Sequence, residues 1–176
     1  MTTKTSARGQ GDMNTADILE DTFTSWAEQR PDLDFDAMTL VLKMAAVVRQ
    51  VTESVRDEFG ELGITLSEFD VLATLRRRGK DSVLTPSHIA EVAMVKPSGL
   101  SHRLNQLEEA GLIERTSDPA DRRSSLIRIT PAGRRIVDRA VEILVARKNS
   151  YCSVLSDRQR QNLHSALDTL IAQGDS

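Results

Sequence analysis

The sequence predicts a mainly α-helical protein with one small β-hairpin. Of the 176 residues, 39% are hydrophobic but only 3% are aromatic, so the core must be built from aliphatic side chains. Because strands are enriched in aromatic residues, this composition favours packed helices over a β-sandwich. Apolar residues recur every three or four positions through most of the chain, which is the period of a helix. Two short β-prone segments, 112–116 and 125–129, flank one polar loop and supply the hairpin.

The N-terminal part of the chain predicts a tail followed by two helices. Residues 1–12 are polar and contain glycine, which indicates a flexible tail. A short helix is expected from Thr15 to Gln29, and Pro31 breaks it, because proline disfavours the helical conformation in the residue before it. A long helix is then predicted from Asp36 to Phe59, where apolar residues step by three and four.

The later helices are marked by residues that cap a helix start. Thr65 and Glu68 form a capping-box pattern, in which each side chain accepts a hydrogen bond from the backbone of the other. Thr85 and Thr130 each precede a proline, and proline is favoured at the first helical position. Ser156 begins a second capping box, which predicts a last helix.

The stretch 85–134 carries the pattern that points to DNA. A short helix, Pro86 to Val92, is followed by a brief turn and a second helix from about residue 97 to 110. The second helix has two faces. Leucines spaced by four and three make the inner face, and the outer face carries polar groups near the N-terminal end: Ser98, Ser101, His102 and Arg103. A recognition helix of this kind places its N-terminal side chains against base edges in the major groove.

The hairpin that follows has the character of a wing. Its polar loop contains Asp121, Arg122 and Arg123 between the two β-prone segments. Arginines at such a tip suit the narrow, electronegative minor groove. Helix, turn, helix and hairpin at these short spacings together predict a winged helix-turn-helix.

Three motifs resemble the MarR family of regulators: the stretches 98–115, 118–123 and 129–133 are similar to its recognition helix, its wing and the start of the next helix. The resemblance implies groove contacts by Ser98, Ser101 and Arg103 and a wing contact by Arg122. Asp121 is expected to brace Arg122 or the neighbouring arginine. We expect a transcriptional regulator that binds double-stranded DNA. Repression of transcription is the default in this family.

The resemblance also implies a homodimer on a palindromic operator. Two recognition helices must lie about 34–36 Å apart, one turn of DNA, and only a dimer supplies both. The terminal helices carry more apolar surface than a small winged domain needs. The predicted layout, as one integrated domain, is a tail (1–12), an extension helix with the first dimerisation helix (13–60), the winged helix-turn-helix (61–130) and C-terminal dimerisation helices (131–176).

The added N-terminal segment resembles that of the urate-responsive subfamily, called the PecS type. Four positions match the ligand pattern of that subfamily: Trp26, Asp70, Arg77 and Arg115. Asp70 and Arg77 are seven residues apart, so they share a helix face at a separation of about 10.5 Å. An aromatic ring stacks on a purine, and Arg77 suits an anion. Urate or a related purine is the expected effector; another small anion or a phenolic compound is the alternative.

Other function classes have weaker support. The three histidines are scattered and no Gly-rich phosphate loop or metal-ligand motif occurs, so we expect no enzyme, cofactor or metal. The single Cys152 leaves a redox-responsive regulator open, although a buried small residue is the commoner role. Retained arginines on the recognition helix and wing argue against a protein-binding module that has lost DNA binding. Without a long apolar run or a signal peptide, a cytoplasmic protein without a membrane span is expected.

The net charge of −3 is unevenly distributed. Residues 12–36 contain eight acidic residues against one basic residue, whereas residues 96–139 contain nine basic and six acidic residues. This segregation is consistent with a DNA-facing surface on an acidic body.

Overall fold

A computed structural model describes residues 14–79, 83–93, 97–117 and 125–174. They form a mainly helical structure with one antiparallel hairpin, which confirms the predicted fold class. The elements are α1 (Thr15–Gln29), α2 (Asp36–Glu53), α3 (Arg56–Glu61), α4 (Leu66–Arg77), α5 (Pro86–Val92), α6 (Pro97–Glu109), β1 (Ile113–Ser117), β2 (Ser125–Ile129), α7 (Pro131–Cys152) and α8 (Asp157–Gly174).

The chain divides into two compact units, with the boundary after Gln50 within α2. The first unit holds α1 and most of α2. Asn14 caps α1, because its side-chain oxygen accepts the backbone N–H groups of Ala16 and Asp17 at 2.9 and 3.1 Å. Neither α1 nor α2 contains a buried residue. Their apolar faces are therefore only partly covered.

The predicted single helix over residues 36–59 is wrong at one point, because Ser54 and Val55 separate α2 from α3. The Ser54 hydroxyl donates to the carbonyl oxygen of Val51 at 2.8 Å. Such a local bond competes with the helical ladder. Val55 adopts φ −110° and ψ 0° and is completely buried. The break therefore turns an apolar side chain into the core of the second unit.

That core collects side chains from α3 through α7. Apart from the two rings of Phe59 and Phe69, whose centroids lie 5.2 Å apart, it is aliphatic, as the composition predicts. Its members include Val71, Leu72, Leu75, Ile89, Leu100, Leu104, Leu107, Ile113, Ile127, Ile129 and Val137.

The capping residues act as predicted. The Glu68 carboxylate accepts the Thr65 N–H at 2.7 Å, and the Thr65 hydroxyl accepts the Glu68 N–H at 3.2 Å. Ser156 makes the same pair of bonds at the start of α8. The hydroxyls of Thr85 and Thr130 accept the N–H groups three residues on, at 3.3 and 3.0 Å. Local polar side chains thus set four of the helix starts.

The hairpin pairs β1 with β2 in antiparallel register, with Ile113 opposite Ile129 and Ser117 opposite Ser125. Leu84 adds a bridge to Ile127 through two backbone bonds of 3.0 and 2.8 Å. The middle of β2 is therefore joined to the segment that leads into α5. The loop predicted as the wing tip, residues 118–124, lies outside the described residues.

A tight connection links α6 to β1. Gly111 has φ +68°, the left-handed conformation that glycine adopts without strain. The Leu112 N–H donates to the Leu107 carbonyl at 2.8 Å, and the Gly111 N–H donates to the Glu108 carbonyl at 2.9 Å. These bonds form a Schellman-type helix end. The Thr130 hydroxyl also donates to the Gly111 carbonyl at 2.8 Å, which ties this end to the start of α7.

The first turn of α7 packs directly on this connection at Gly133. A Cβ added there would lie 2.1 Å from the Leu112 carbonyl oxygen and 2.9 Å from Ile129 Cγ1. Gly133→Ala is therefore expected to lower the free energy of unfolding by roughly 1–3 kcal/mol, the usual cost of overpacking. Urea unfolding measures the difference.

Gly60→Ala is the matched control, because no atom lies within 4 Å of a Cβ built at that helical glycine. It is expected to leave stability unchanged or to raise it by about 0.5–1 kcal/mol. Equal unfolding free energies for the two variants would contradict the close approach at Gly133.

Candidate nucleic-acid interface and ligand hollow

Helices α5 and α6 form the predicted helix-turn-helix. The inner face of α6 is buried in the core, with Leu100, Leu104 and Leu107 at most 2% exposed. Ser101 and His102 lie exposed on its other side. The backbone of Ser98 belongs to the first turn of α6, but its side chain lies outside the described atoms. The helix thus presents a polar surface near its N-terminal end.

Arg103 is placed differently from its neighbours on α6. Its side chain is half-buried, and its Nη1 atom is buried without a hydrogen-bond partner among the described residues. The guanidinium folds back along the helix, because Nη2 would lie 3.6 Å from a Cβ built at Gly99. Arg103 also interacts electrostatically with Asp70 on α4. Arg103, on α6, therefore lies within electrostatic range of α4.

Asp70 lies where burial and positive charge compete. Although Asp70 is exposed by its surface area, desolvation by the surrounding protein raises the pKa of its carboxyl group above the usual value, because desolvation disfavours the charged form. The cations of Arg103, Lys148 and Arg77 oppose this effect and lower the pKa. Burial is the larger influence. Sequence reasoning singled out Asp70 and Arg77 but missed the contributions of Arg103 and Lys148 to this carboxyl group.

A hollow of about 560 Å³ opens beside Asp70, between α4, the end of α5 and α7. Asp70 and Arg77 both line it, as their shared helix face predicts. The Arg77 guanidinium donates one long hydrogen bond of 3.4 Å to the Thr74 hydroxyl. The apolar lining comes from Phe69, Ala73, Val92, Ala93, Val137 and Val141. The hollow therefore combines apolar walls with the guanidinium groups of Arg76 and Arg77 and the carboxyl group of Asp70, and a few polar groups in a mostly apolar lining are typical of a small-molecule site.

The three consecutive arginines at the end of α4 have different partners. Arg76 donates two hydrogen bonds to the Asp138 carboxylate of α7, at 2.9 and 3.3 Å. The Nη2 atom of Arg78 lies 3.2 Å from His88 Nε2. Arg77 has only the long bond described above among the hydrogen bonds of the described residues. Of the three, Arg77 thus has the guanidinium that is least committed to the protein.

Arg115 contacts α6. Its Nη2 donates to Asn105 Oδ1 at 2.6 Å, and its Nε lies 3.0 Å from Glu108 Oε2 in an ion pair. Among the described residues, Arg115 contacts these two side chains and does not line the hollow. The predicted role of Arg115 as a ligand contact stays a prediction.

Trp26 lies in the first unit, whereas the other three predicted ligand residues lie in the second. Its ring centroid is 6.3 Å from that of Phe35, and the residue is 50% exposed. The predicted wing residues Asp121, Arg122 and Arg123 fall outside the described part of the chain.

In the described ranges, no group of three His, Cys, Asp or Glu side chains is placed to hold a metal ion. None of the helices described there has the length and apolarity to cross a membrane. Cys152 is exposed, which corrects the expected burial: α7 extends to this residue, well past Ala140, the last residue of that helix in the core.

Comparisons with known proteins agree with this architecture. The family model described as "MarR family" matches residues 62–124. The transcriptional regulator PecS of Dickeya dadantii is 33% identical over 149 residues, which cover 85% of this chain and 90% of that protein. This chain belongs to the MarR family of transcriptional regulators.

Two solved structures show the shared MarR fold. A MarR-family regulator from Silicibacter pomeroyi is 28% identical with a TM-score of 0.60, and the match covers 78% of this chain and 89% of that one. A mutant MarR from E. coli, complexed with operator DNA, is 21% identical with a TM-score of 0.68, over 77% of this chain and 96% of that one. The matched proteins are transcriptional regulators, not enzymes.

The charge balance at Asp70 predicts a pH dependence of stability in this MarR-family protein. Because its folded pKa lies above the ordinary value of 3.8, the folded state binds more protons than the unfolded state between those two values. Stability contributed by Asp70 is therefore present at low pH and is lost as pH rises through the folded pKa.

Asp70→Asn is expected to remove this loss. The free energy of unfolding of the variant, relative to that of the wild type, therefore rises as pH rises through that window. Urea unfolding at a series of pH values measures the difference, with Asp168→Asn on the exposed face of α8 as the control. If Asp70→Asn kept the wild-type pH profile, the raised pKa would be ruled out.

Proposed function

We propose that this protein is a homodimeric repressor that binds a palindromic operator and is released from it by a small anionic ligand, with urate or a related purine as the leading effector. The observation that carries the proposal is the two-faced α6: its leucines are anchored in the core, and its polar residues Ser101 and His102 are exposed. A helix held in this way can enter the major groove without rearranging.

In the proposed complex, the N-terminal half of α6 contacts base edges through Ser98, Ser101 and His102, and the groove contact predicted for Arg103 stays a prediction. In the same proposal, Arg122 of the wing enters the adjacent minor groove, with Asp121 bracing either Arg122 or Arg123. The narrow minor groove attracts such cations.

Dimerisation is supported by apolar surface on the terminal helices. Single exposed apolar residues are common, but contiguous apolar patches mark interaction surfaces. Large hydrophobic side chains are exposed on α2 (Met38, Leu40, Val41, Leu42, Val47 and Val48), on α7 (Val141 and Val145) and on α8 (Leu163, Leu170 and Ile171). A second copy of the chain is the partner that would cover these faces and supply the second recognition helix.

The hollow beside Asp70 is the proposed ligand site. An anion paired with the Arg77 guanidinium would repel the Asp70 carboxylate, whose interaction with Arg103 leads to α6. We therefore place the route from ligand to DNA through Arg103. The protein must then have two conformations, one with the recognition helices placed for DNA and one with them misplaced. The ligand weakens DNA binding only to the extent that its affinity for the second conformation is higher. Trp26 stays a further predicted ligand contact, and the ligand contact that the family resemblance implies for Arg115 is tested below against a second role.

Operator binding with and without urate tests this proposal. We expect saturating urate to raise the Kd for an operator from the protein's own promoter region by roughly 5- to 150-fold, the usual range of allosteric coupling. Arg77→Ala is expected to bind the operator but to lose most of this response, because the anion loses its guanidinium. Arg139→Ala is the control: this α7 arginine pairs with Glu142 and is expected to respond like the wild type. Fluorescence anisotropy with a labelled duplex gives each Kd.

The outcomes separate the two parts of the proposal. If the wild type binds the operator with a steep salt dependence but ignores urate, DNA binding stands and another small anion or a phenolic compound must be tested in the hollow. If Arg77→Ala responds to urate as fully as the wild type, the ligand site is misplaced. If the wild type does not prefer the operator over other DNA, the DNA-binding proposal fails.

A further inference from the structure

Arg115, Asn105 and Glu108 form a cluster that joins β1 to α6, and we call these three residues the α6–β1 clamp. Arg115 Nη2 donates to Asn105 Oδ1 at 2.6 Å, and its Nε lies 3.0 Å from Glu108 Oε2. The Arg115 side chain is only 28% exposed, and its Nε atom is buried without a directed hydrogen bond among the described residues. The contact with Glu108 is therefore electrostatic, and the contact with Asn105 is the directed one.

The clamp fixes which way the Asn105 amide points. A guanidinium group only donates hydrogen bonds, so the amide atom that faces it must be the oxygen. The NH2 group of Asn105 is then left to donate to another acceptor. A hydrogen bond to a charged donor is also stronger than a neutral one, so the side chain is held in this orientation.

Asn105 shares a helix face with the proposed DNA contacts. It follows Ser101 by four residues and His102 by three, and residues at these spacings are neighbours on a helix surface. It is exposed, as they are. Arg115 therefore acts on the DNA-facing side of α6, although it belongs to the hairpin.

The backbone connection strengthens this coupling. Only Ala110, Gly111 and Leu112 separate α6 from β1, and the Schellman-type bonds described above hold them. Leu107 and Ile113, on either side of this connection, are buried in the core. The clamp is a second connection between α6 and β1, made by side chains. The two connections together hold α6 and the hairpin in one orientation relative to each other.

We propose that Arg115 is a positioning residue that holds the end of α6 and the Asn105 amide in the orientation needed for operator recognition, and thereby sets the discrimination between operator and non-specific DNA. This role rests on the DNA binding proposed above. It assigns Arg115 to the recognition helix, whereas the family resemblance assigns it to the ligand.

Discrimination is the quantity to measure, because non-specific affinity depends mainly on charge. Lysine keeps the positive charge but lacks the planar fork of donors that reaches two partners. Arg115→Lys therefore leaves the number of cations near the phosphates unchanged while it releases the Asn105 amide. A partial loss of stability lowers the folded fraction of the protein and so lowers both apparent affinities by the same factor. This effect cancels in the ratio of the two affinities.

The experiment measures the Kd of the full-length protein for the operator and for a scrambled duplex of equal length, over a range of salt concentrations. Arg115→Lys is expected to lower the ratio of the two affinities roughly tenfold, the order of one net hydrogen bond, with non-specific affinity and its salt dependence unchanged. Arg139→Lys on α7 is the control and keeps the wild-type ratio. Asn105→Ala lowers the ratio too, and combining it with Arg115→Lys adds little further loss, because the two residues act as a pair.

An unchanged affinity ratio in Arg115→Lys overturns the role of Arg115, whether both affinities stay the same or fall by the same factor. If the ratio is unchanged and the urate concentration for half-release shifts, Arg115 is a ligand contact. A wild type that does not prefer the operator is a different failure, because it removes the DNA-binding proposal itself and is seen before any variant is tested.

Discussion

Burial of three leucines on α6 is the constraint on which the rest of the structure depends. Leu100, Leu104 and Leu107 lie in a core shared with α4, α5, the hairpin and α7, and this fixes the rotation of the helix about its axis. Ser101 and His102 must then face solvent. Burial of each leucine contributes about 1.5–3 kcal/mol of stability. Rotating α6 by half a turn would therefore lose far more free energy than a new surface contact could provide.

The same rotation couples the recognition helix to the rest of the second unit. Arg103 falls beside the leucine stripe, within electrostatic range of Asp70 on α4. Arg76 in turn ties α4 to Asp138 on α7, and α4 and α7 form two walls of the hollow. In the proposed switch, a ligand that altered the charge balance at Asp70 would act on α6 through one intervening side chain.

The sequence predicts much of this fold because its signals are local. Helix caps such as Thr65 and the leucine stripe of α6 depend on neighbouring residues alone. The break at Ser54 was missed because its hydroxyl bond replaces a helical bond without any change of apolar period. The half-buried position of Arg103 was predictable from its spacing. Residue 103 lies about 40° from Leu107 around the helix, on the flank of the buried face. The partners of Arg115 depend on the angle between α6 and β1, which no local pattern specifies.

The central claim, that the exposed face of α6 lies in the major groove of a twofold complex, is tested most directly by cleavage from a tethered reagent. A DNA-cleaving group attached to Gln106→Cys, an exposed site one turn beyond His102, in a Cys152→Ser background should cut the operator at two positions one helical turn apart, about 10 base pairs. The same reagent on native Cys152, at the end of α7, should cut at neither. Equal cleavage from both sites, or none from residue 106 in a complex that forms, would contradict the account.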